Sequence, residues 1–349
     1  MKKIFLKGYL KNNLGDDLFI KIITERYPDT KFYSIGQGKY NFSNLVFIDS
    51  FKAKCFSGFA KLFSLNKLSF ELLLRKYCDA MLLLGGSMFI EGKSRYNNRL
   101  FKEGNYYILG SNFGPYNSDN YYNEVHSIFS KATDVCLRDQ ASYDLFNDIS
   151  NVRKGSDIVF SMEVEKYIPK TKEKRVVFSV INPEVKLGKV VSKNYKTNLI
   201  NFIYFFKSEG YDVTLMSFCD FEGDRAFIDE ISSNFPDNDI DKYYYEGNID
   251  EALKIFGKSE VIVASRFHAS IIGLIMDKTI IPFVYSDKTI NVLEDMHFMG
   301  KILDIRDNEI IDFYELFHNN LNYKISIVDQ INSANSHFNK IDKYLGLNI

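Results

Sequence analysis

The chain has no tryptophan, only 4 cysteines in 349 residues and no excess of charge of either sign. Each absence excludes something. Cys55, Cys78, Cys136 and Cys219 stand far apart, without the paired spacing of a zinc site or a disulfide framework, so a reducing compartment fits best. With 44 Lys+Arg against 45 Asp+Glu the formal charge is -1, whereas a dedicated nucleic-acid binder carries a basic excess. The richest apolar stretch, Ser270 to Tyr285, is broken by Asp277 and Lys278, short of the roughly 20 apolar residues of a spanning helix. The opening MKKIFLKGYL reaches Lys7 and Gly8 before an apolar core develops, which is not the pattern of a signal peptide. A cytoplasmic protein is expected. Also missing are G-x-x-x-x-G-K-[ST], H-E-x-x-H, G-x-S-x-G and G-x-G-x-x-G, so nucleotide hydrolysis, zinc proteolysis, α/β-hydrolase chemistry and simple dinucleotide binding lose ground.

What is present is apolar and aromatic: 46% hydrophobic residues, with 31 Phe and 23 Tyr, enough for a core in each of two domains. Short apolar runs at Lys2–Lys7, Lys31–Ile35, Leu45–Ile48, Ala80–Leu84, Tyr106–Leu109 and Val135–Leu137 are too short for independent helices. They read as buried strands alternating with helices, the grammar of a parallel α/β sheet. Around Glu163–Lys174 the text turns charged and carries a proline, the best linker candidate. The grammar then restarts with strand Arg175–Ile181, helices near Lys196–Ser208, Asp224–Phe235 and Asp250–Gly257, and strands Tyr211–Ser217, Glu260–Ala264 and Ile280–Tyr285. The expected domains are 1–165 and 175–330, with a C-terminal helix over 331–349 and a ligand cleft between the domains.

Chemistry concentrates where strands end. In Ser265-Arg266-Phe267-His268-Ala269 an apolar strand runs into a helix start, where amide groups, a guanidinium and an imidazole can converge on one anion. The plainer reading makes Arg266 a cap on the sheet edge and His268 a satisfied core residue. After the first strand, Gly8 to Asp17 includes Asn13, Gly15, Asp16 and Asp17; the carboxylates either bind sugar hydroxyls and supply a general base or simply cap a helix. Gly85-Gly86-Ser87 permits close backbone approach to a ligand, or makes a tight turn. Arg138 follows a short strand and either reaches the cleft or pairs with a nearby carboxylate. Tyr285 and Lys288 follow the strand Ile280–Tyr285, and Lys288 would add a second cation.

The order Gly8…Asn13-x-Gly15-Asp16-Asp17, Gly85-Gly86-Ser87, Gly114-Pro115, Arg138-Asp139-x-x-Ser142, Ser265-Arg266-Phe267-His268-Ala269 and Tyr285-x-x-Lys288 resembles the polysaccharide pyruvyl transferase family, from Gly8 to about Asp295. The resemblance implies an α/β protein with two Rossmann-like domains in a glycosyltransferase-B-type arrangement with an interdomain cleft. It implies transfer of pyruvate from phosphoenolpyruvate, as co-substrate, onto two hydroxyls of a sugar, making a cyclic ketal and releasing phosphate. The N-terminal domain would face the acceptor and the C-terminal domain would hold the donor. Where relatives often place an arginine after the first strand of the second domain, this chain has Ser179-Val180-Ile181-Asn182-Pro183. The donor's carboxylate and phosphate call for fixed cations, which Arg266, Lys288 and Arg138 would supply. His268 would protonate the vinyl carbon or the departing phosphate, and Asp16 or Asp17 would activate a hydroxyl or bind the sugar. No cofactor or metal is required by this chemistry.

Two other readings stand beside it: a glycosyltransferase of the same architecture with a nucleotide-sugar donor, and a non-catalytic sugar-binding relative. The acceptor is expected to be a sugar or a lipid-linked oligosaccharide. From Phe56 to Lys76 the chain mixes Phe and Leu with Lys61, Lys67, Arg75 and Lys76. That segment is either a peripheral contact with the inner face of the membrane or a helix packed on its own sheet with its lysines in solvent.

Overall fold

The computed structural model describes residues 1–62, 69–93, 96–102, 104–171, 173–307, 311–321 and 323–347, with backbone only for 58–62 and 288. The chain divides into two compact units. The first comprises Met1–Lys11, Asp16–Ser161 and Asp329–Ile349; the second comprises Asn12–Gly15 and Met162–Val328.

The first unit follows the order β1 (Lys3–Lys7), α1 (Leu14–Arg26, entering this unit at Asp16), β2 (Lys31–Gly36), β3 (Leu45–Asp49), α2 (Ser50–Leu62), α3 (Phe70–Tyr77), β4 (Ala80–Leu84), β5 (Asn105–Ser111), α4 (Asp119–Lys131), β6 (Asp134–Leu137), α5 (Gln140–Asp144) and β7 (Val152–Lys154). All strand pairs are parallel, in the order β3-β2-β1-β4-β5-β6-β7. A parallel strand is covered on both faces, which is why β4 reads AMLLL without alternation and is buried throughout. From α1, Leu18, Phe19, Ile22 and Ile23 are buried, each side chain contributing about 1.5–3 kcal/mol on transfer from water.

The second unit repeats the pattern with β8 (Arg175–Val180), α6 (Glu184–Ser208), β9 (Asp212–Ser217), α7 (Asp224–Ser232), β10 (Asp241–Tyr243), α8 (Ile249–Lys258), β11 (Val261–Ala264), α9 (Phe267–Ile275), β12 (Thr279–Val284), α10 (Asp287–Asp295), β13 (Leu303–Asp304) and α11 (Phe313–Leu321). Its sheet is also parallel, in the order β10-β9-β8-β11-β12-β13. Phe178, Leu199, Phe202, Phe206 and Phe283 meet in its core, and Phe202 stacks on Phe283 with ring centroids 5.8 Å apart. Helix α6 begins at Glu184, well before the expected Lys196, and crosses a break at Gly188, whose φ is 85°.

In both sheets the chain reverses direction across the central pair, β1 beside β4 and β8 beside β11. Loops leaving the carboxyl ends of such a pair diverge to opposite faces and open a crevice, the usual ligand position in this class of sheet. The charged segment after Ser161 is not bare: Tyr167 is buried and its hydroxyl donates to Asp250 Oδ1 at 2.5 Å. At the far end, α12 (Val328–Asn335) and α13 (Asn339–Leu345) follow, and residues 329–349 group with the first unit. There Asp342 accepts from Arg26 Nε at 3.1 Å, Arg26 Nη2 at 2.7 Å and Tyr27 Oη at 2.6 Å.

Of the segment Phe56 to Lys76, residues 63–68 lie outside the described residues, as do the side chains of 58–62. Arg75 is no surface cation: it is buried and donates to the carbonyls of Leu100 and Asn105. Among the described residues no helix is long and apolar enough to cross a membrane, no cluster of His, Cys, Asp or Glu is arranged to hold a metal, and the four cysteines are free thiols.

Candidate functional site

The residues singled out by sequence fall at the two central crossings. In the first unit, Gly85 and Gly86 follow β4, with Gly85 at φ 103°. Gly86 has no room for a side chain, because a Cβ there would lie 2.7 Å from both terminal nitrogens of Arg138. Arg138 is buried beneath it and donates from Nη1 to Asp157 Oδ2 at 2.9 Å and from Nη2 to Asn112 Oδ1 at 2.8 Å. Asn112 Oδ1 also accepts from Ser87 Oγ at 3.3 Å. Asp157 is fully buried, so this ion pair forms where water cannot substitute for either partner. The carboxylate that Arg138 meets is thus an interior one.

The two aspartates diverge. Asp17 is fully buried and accepts from Tyr40 Oη at 2.7 Å, whereas Asp16 is half-buried, 3.4 Å from the position a Cβ on Gly85 would take. On α1 successive residues point about 100° apart, so neighbours in sequence do not share a face.

In the second unit, the pairing of β8 with β11 ends at Ser179 and Ala264. Ser179 Oγ accepts from the backbone amides of Ser265 at 3.0 Å and Arg266 at 3.1 Å, satisfying two donors as the strand gives way to α9. Ser265 Oγ in turn accepts from Tyr195 Oη at 2.7 Å. Tyr195 is fully enclosed, and burial above all pushes its phenol well above the ordinary range, so it acts as a neutral donor. Ser179, near the end of β8, therefore builds the turn.

Arg266 is 7% exposed and is held by two carboxylates. Its Nη1 donates to Glu222 Oε2 at 2.7 Å and its Nη2 to Asp224 Oδ1. Asp224, at the start of α7, is fully buried, and its Oδ2 accepts from the amides of Phe218 at 3.0 Å and Cys219 at 2.9 Å. Glu222 also meets Lys186 Nζ at 3.1 Å, and that ammonium lies 5.2 Å from the Tyr285 ring centroid. Burial by itself would lower the Arg266 pKa, but Asp224 and Glu222 outweigh it and hold the guanidinium well above its ordinary value. Burial by itself would raise Glu222, but Arg266 and Lys186 bring it down to about 2. The four charges cancel.

His268 is half-buried in the first turn of α9, its ring 5.0 Å from that of Phe267. Gly15 packs against it so closely that a Cβ on Gly15 would lie 2.1 Å from His268 Nδ1. The Gly15 segment is itself fixed: Gly15 N donates to Asn13 Oδ1 at 3.1 Å and Leu14 N to Phe218 O at 3.0 Å. Asn13 and Gly15, which sequence places 255 and 253 residues from His268, form one wall of the same site. Lys288 is the second residue of α10, shortly after the half-buried Tyr285, and its side chain lies outside the described residues.

The second unit thus unites Ser179, Ser265, Arg266, His268, Asn13, Gly15 and Tyr285. The first gathers Gly85, Gly86, Ser87, Arg138 and Asp16. Sequence reasoning missed Lys186, Tyr195, Glu222 and Asp224. Phe221-Glu222-Gly223-Asp224 after β9 carried a signal, two carboxylates flanking a glycine at a strand's carboxyl end, with Gly223 at φ 84°.

Comparison with known proteins agrees with this architecture. A family model described as polysaccharide pyruvyl transferase matches residues 13–287. No curated protein matches the chain significantly in sequence. Among solved structures, UDP-GlcNAc 2-epimerase from Methanocaldococcus jannaschii is similar with a TM-score of 0.61 at 10% identity, covering 99% of this chain and 100% of that one. Anabaena Alr3699/HepE, in complex with UDP and glucose, is similar with a TM-score of 0.55 at 10% identity over 99% of each chain. UDP-GlcNAc 2-epimerase from Neisseria meningitidis gives 0.54 at 11% identity, over 98% of this chain and 100% of that one. At such identities the likeness speaks for the fold alone: two Rossmann-like domains of the glycosyltransferase-B class.

Proposed function

The chain belongs to the polysaccharide pyruvyl transferase family, and from that premise we propose that it moves pyruvate from phosphoenolpyruvate onto two hydroxyls of a sugar in a surface polysaccharide or its lipid-linked precursor. The observation that carries this reading is His268, a half-buried imidazole at the carboxyl end of β11, seated on Gly15 beside Arg266. In the reaction His268 donates a proton to the vinyl CH2 carbon, and the adjacent carbon becomes oxocarbenium-like. One sugar hydroxyl adds there and loses its proton. The second hydroxyl then displaces phosphate and gives its proton to the departing group, so two C–O bonds to the sugar replace the C–O bond to the phosphate's bridging oxygen and the π bond. An imidazole nitrogen can both donate and accept a proton, which suits His268 to general acid–base work. Asp16 is assigned the hydroxyl-activating base in preference to the enclosed Asp17. Arg266 and Lys288 are assigned the donor's charges, while Arg138, committed to Asp157, is assigned to the frame of the first unit.

A second reading, glycosyl transfer from a nucleotide sugar, is suggested by the likeness of fold to proteins solved with UDP and glucose or with UDP-GlcNAc. The donor separates the two. In thermal-shift titrations a ligand bound by the native state raises the melting temperature. Stabilisation by phosphoenolpyruvate and not by UDP-sugars is expected, and the converse result promotes the glycosyltransferase. With a panel of free and lipid-linked sugars, His268→Asn is expected to keep donor binding and lose about 10²–10⁴-fold in phosphate release.

A further inference from the structure

The two carboxylates on Arg266 are not equivalent. Asp224 has no exposed surface, and its second oxygen is fixed by two backbone amides, so it is a permanent part of the fold. Glu222 sits on a single 3-10 turn, Asp220–Glu222, followed by Gly223 in the left-handed region. Its side chain is 23% exposed, and Oε2 rests between Arg266 Nη1 at 2.7 Å and Lys186 Nζ at 3.1 Å. Lys186 itself is exposed. Arg266 Nε is buried and has no hydrogen-bond partner among the described residues, so the guanidinium keeps an unused donor.

We propose that Glu222 occupies, in the unliganded protein, the place of the donor's carboxylate, and that the donor binds by exchanging its carboxylate for that of Glu222. The inference rests on the reading of Arg266 as a donor-binding residue. Its charge balance favours a singly charged planar group. With Asp224 retained and Glu222 withdrawn, Arg266 and Lys186 leave one net positive charge facing an anion. A carboxylate can bridge Nη1 and Nζ as Glu222 does, whereas an inorganic phosphate brings more charge than the cluster offsets. Glu222, at about 2, is ionised at any working pH and competes at full charge. The turn that carries it has no buried residues to anchor it. Exchange then means that each incoming carboxylate pays for the displacement of an internal one, which sets donor affinity and keeps stray anions out of the empty site.

The test is calorimetric titration of the full-length wild type and Glu222→Gln with phosphoenolpyruvate, pyruvate and inorganic phosphate. The glutamine keeps size and hydrogen-bonding ability but no longer competes as an anion. Both carboxylates are expected to bind Glu222→Gln about 5–30-fold more tightly, the range of a released charge-assisted pair, with phosphate unchanged. Lys186→Met is expected to weaken both carboxylates and serves if the first variant folds poorly. Equal or weaker carboxylate binding to Glu222→Gln, or no carboxylate binding to either protein, overturns the exchange. If pyruvate gains and phosphoenolpyruvate binds neither protein, the exchange stands and the donor reading falls. If phosphoenolpyruvate binds both equally, the donor reading stands and the exchange falls.

Discussion

Replacing Gly15 by alanine probes how His268 is held. The added methyl would lie 2.1 Å from His268 Nδ1 and 2.8 Å from Cγ. Because Cγ is the root of the ring, no movement of a flexible tip relieves the clash. Non-bonded heavy atoms settle at about 3.5–4.0 Å, so the imidazole has to retreat by more than about 1 Å. Two contributions to stability oppose one another. Alanine in the helix gains about 1 kcal/mol over glycine. Forcing a methyl into a filled space costs about 1–3 kcal/mol. The net is a loss of about 0–2 kcal/mol, a fall in melting temperature of no more than about 8 °C for a domain of this size. Turnover suffers more, because a displacement of about 1 Å at a proton donor costs about 10²-fold. The assay is phosphate release and thermal melting on wild type, Gly15→Ala and His268→Asn, with melting taken first to show that each variant is folded. The expected result is a nearly normal melt with phosphate release lowered about 10²-fold, approaching the His268→Asn level. A Gly15→Ala protein with the melting temperature and rate of the wild type would refute the reasoning, since it would mean that the ring moves freely and its position is immaterial.

Arg138→Met removes the cation from the fully buried Asp157 and is expected to destabilise the protein by about 3–5 kcal/mol, read by urea denaturation. A stable Arg138→Met that no longer binds donor would instead make Arg138 a substrate residue. His337, in the C-terminal segment, is buried with its Nε2 2.6 Å from the Ser156 carbonyl oxygen, and burial lowers its pKa from 6.5 to about 4. Because the unfolded chain takes up this proton first, the stability from neutral His337 is complete above pH 6.5. It is lost progressively as pH falls towards 4, by about 3 kcal/mol in all. Urea melts at pH 7.5 and 4.5 should show that loss in the wild type and a flatter dependence in His337→Gln; identical dependences in the two proteins would exclude His337 as its source.

Much of the alternation of strands and helices is legible because the central strands are covered on both faces. AMLLL in β4 and VIVA in β11 have no polar alternation and fit no exposed element. What is not legible lies where burial is partial. β7, β10 and β13 are edge strands of 3, 3 and 2 residues, too short to show a period. The first turns of α6 leave Val185 and Val190 exposed and are interrupted by Gly188, so helical periodicity emerges only near Lys196 although the helix begins at Glu184. Strand order is a tertiary property, and no residue in β1 or β8 announces that the chain will reverse beside it.

The same distinction runs through the site. Arg266 and His268 could be picked out because a cation and an imidazole at the end of an apolar strand are uncommon and chemically pointed. Sequence cannot say whether such a charge is available or already spent. That depends on what the desolvated guanidinium needs in the folded state, and a buried cation left alone costs several kcal/mol after relaxation. The compensation comes from Glu222 and Asp224, separated from Arg266 by 44 and 42 residues and reading in isolation as turn chemistry around Gly223. The arginine at this strand end is read together with its carboxylates, and under the proposed exchange the less buried of them, Glu222, sets the terms on which an anion enters. By that reasoning the informative substitution in this cluster is not Arg266→Ala, which strands a buried Asp224, but the removal of charge from Glu222 alone.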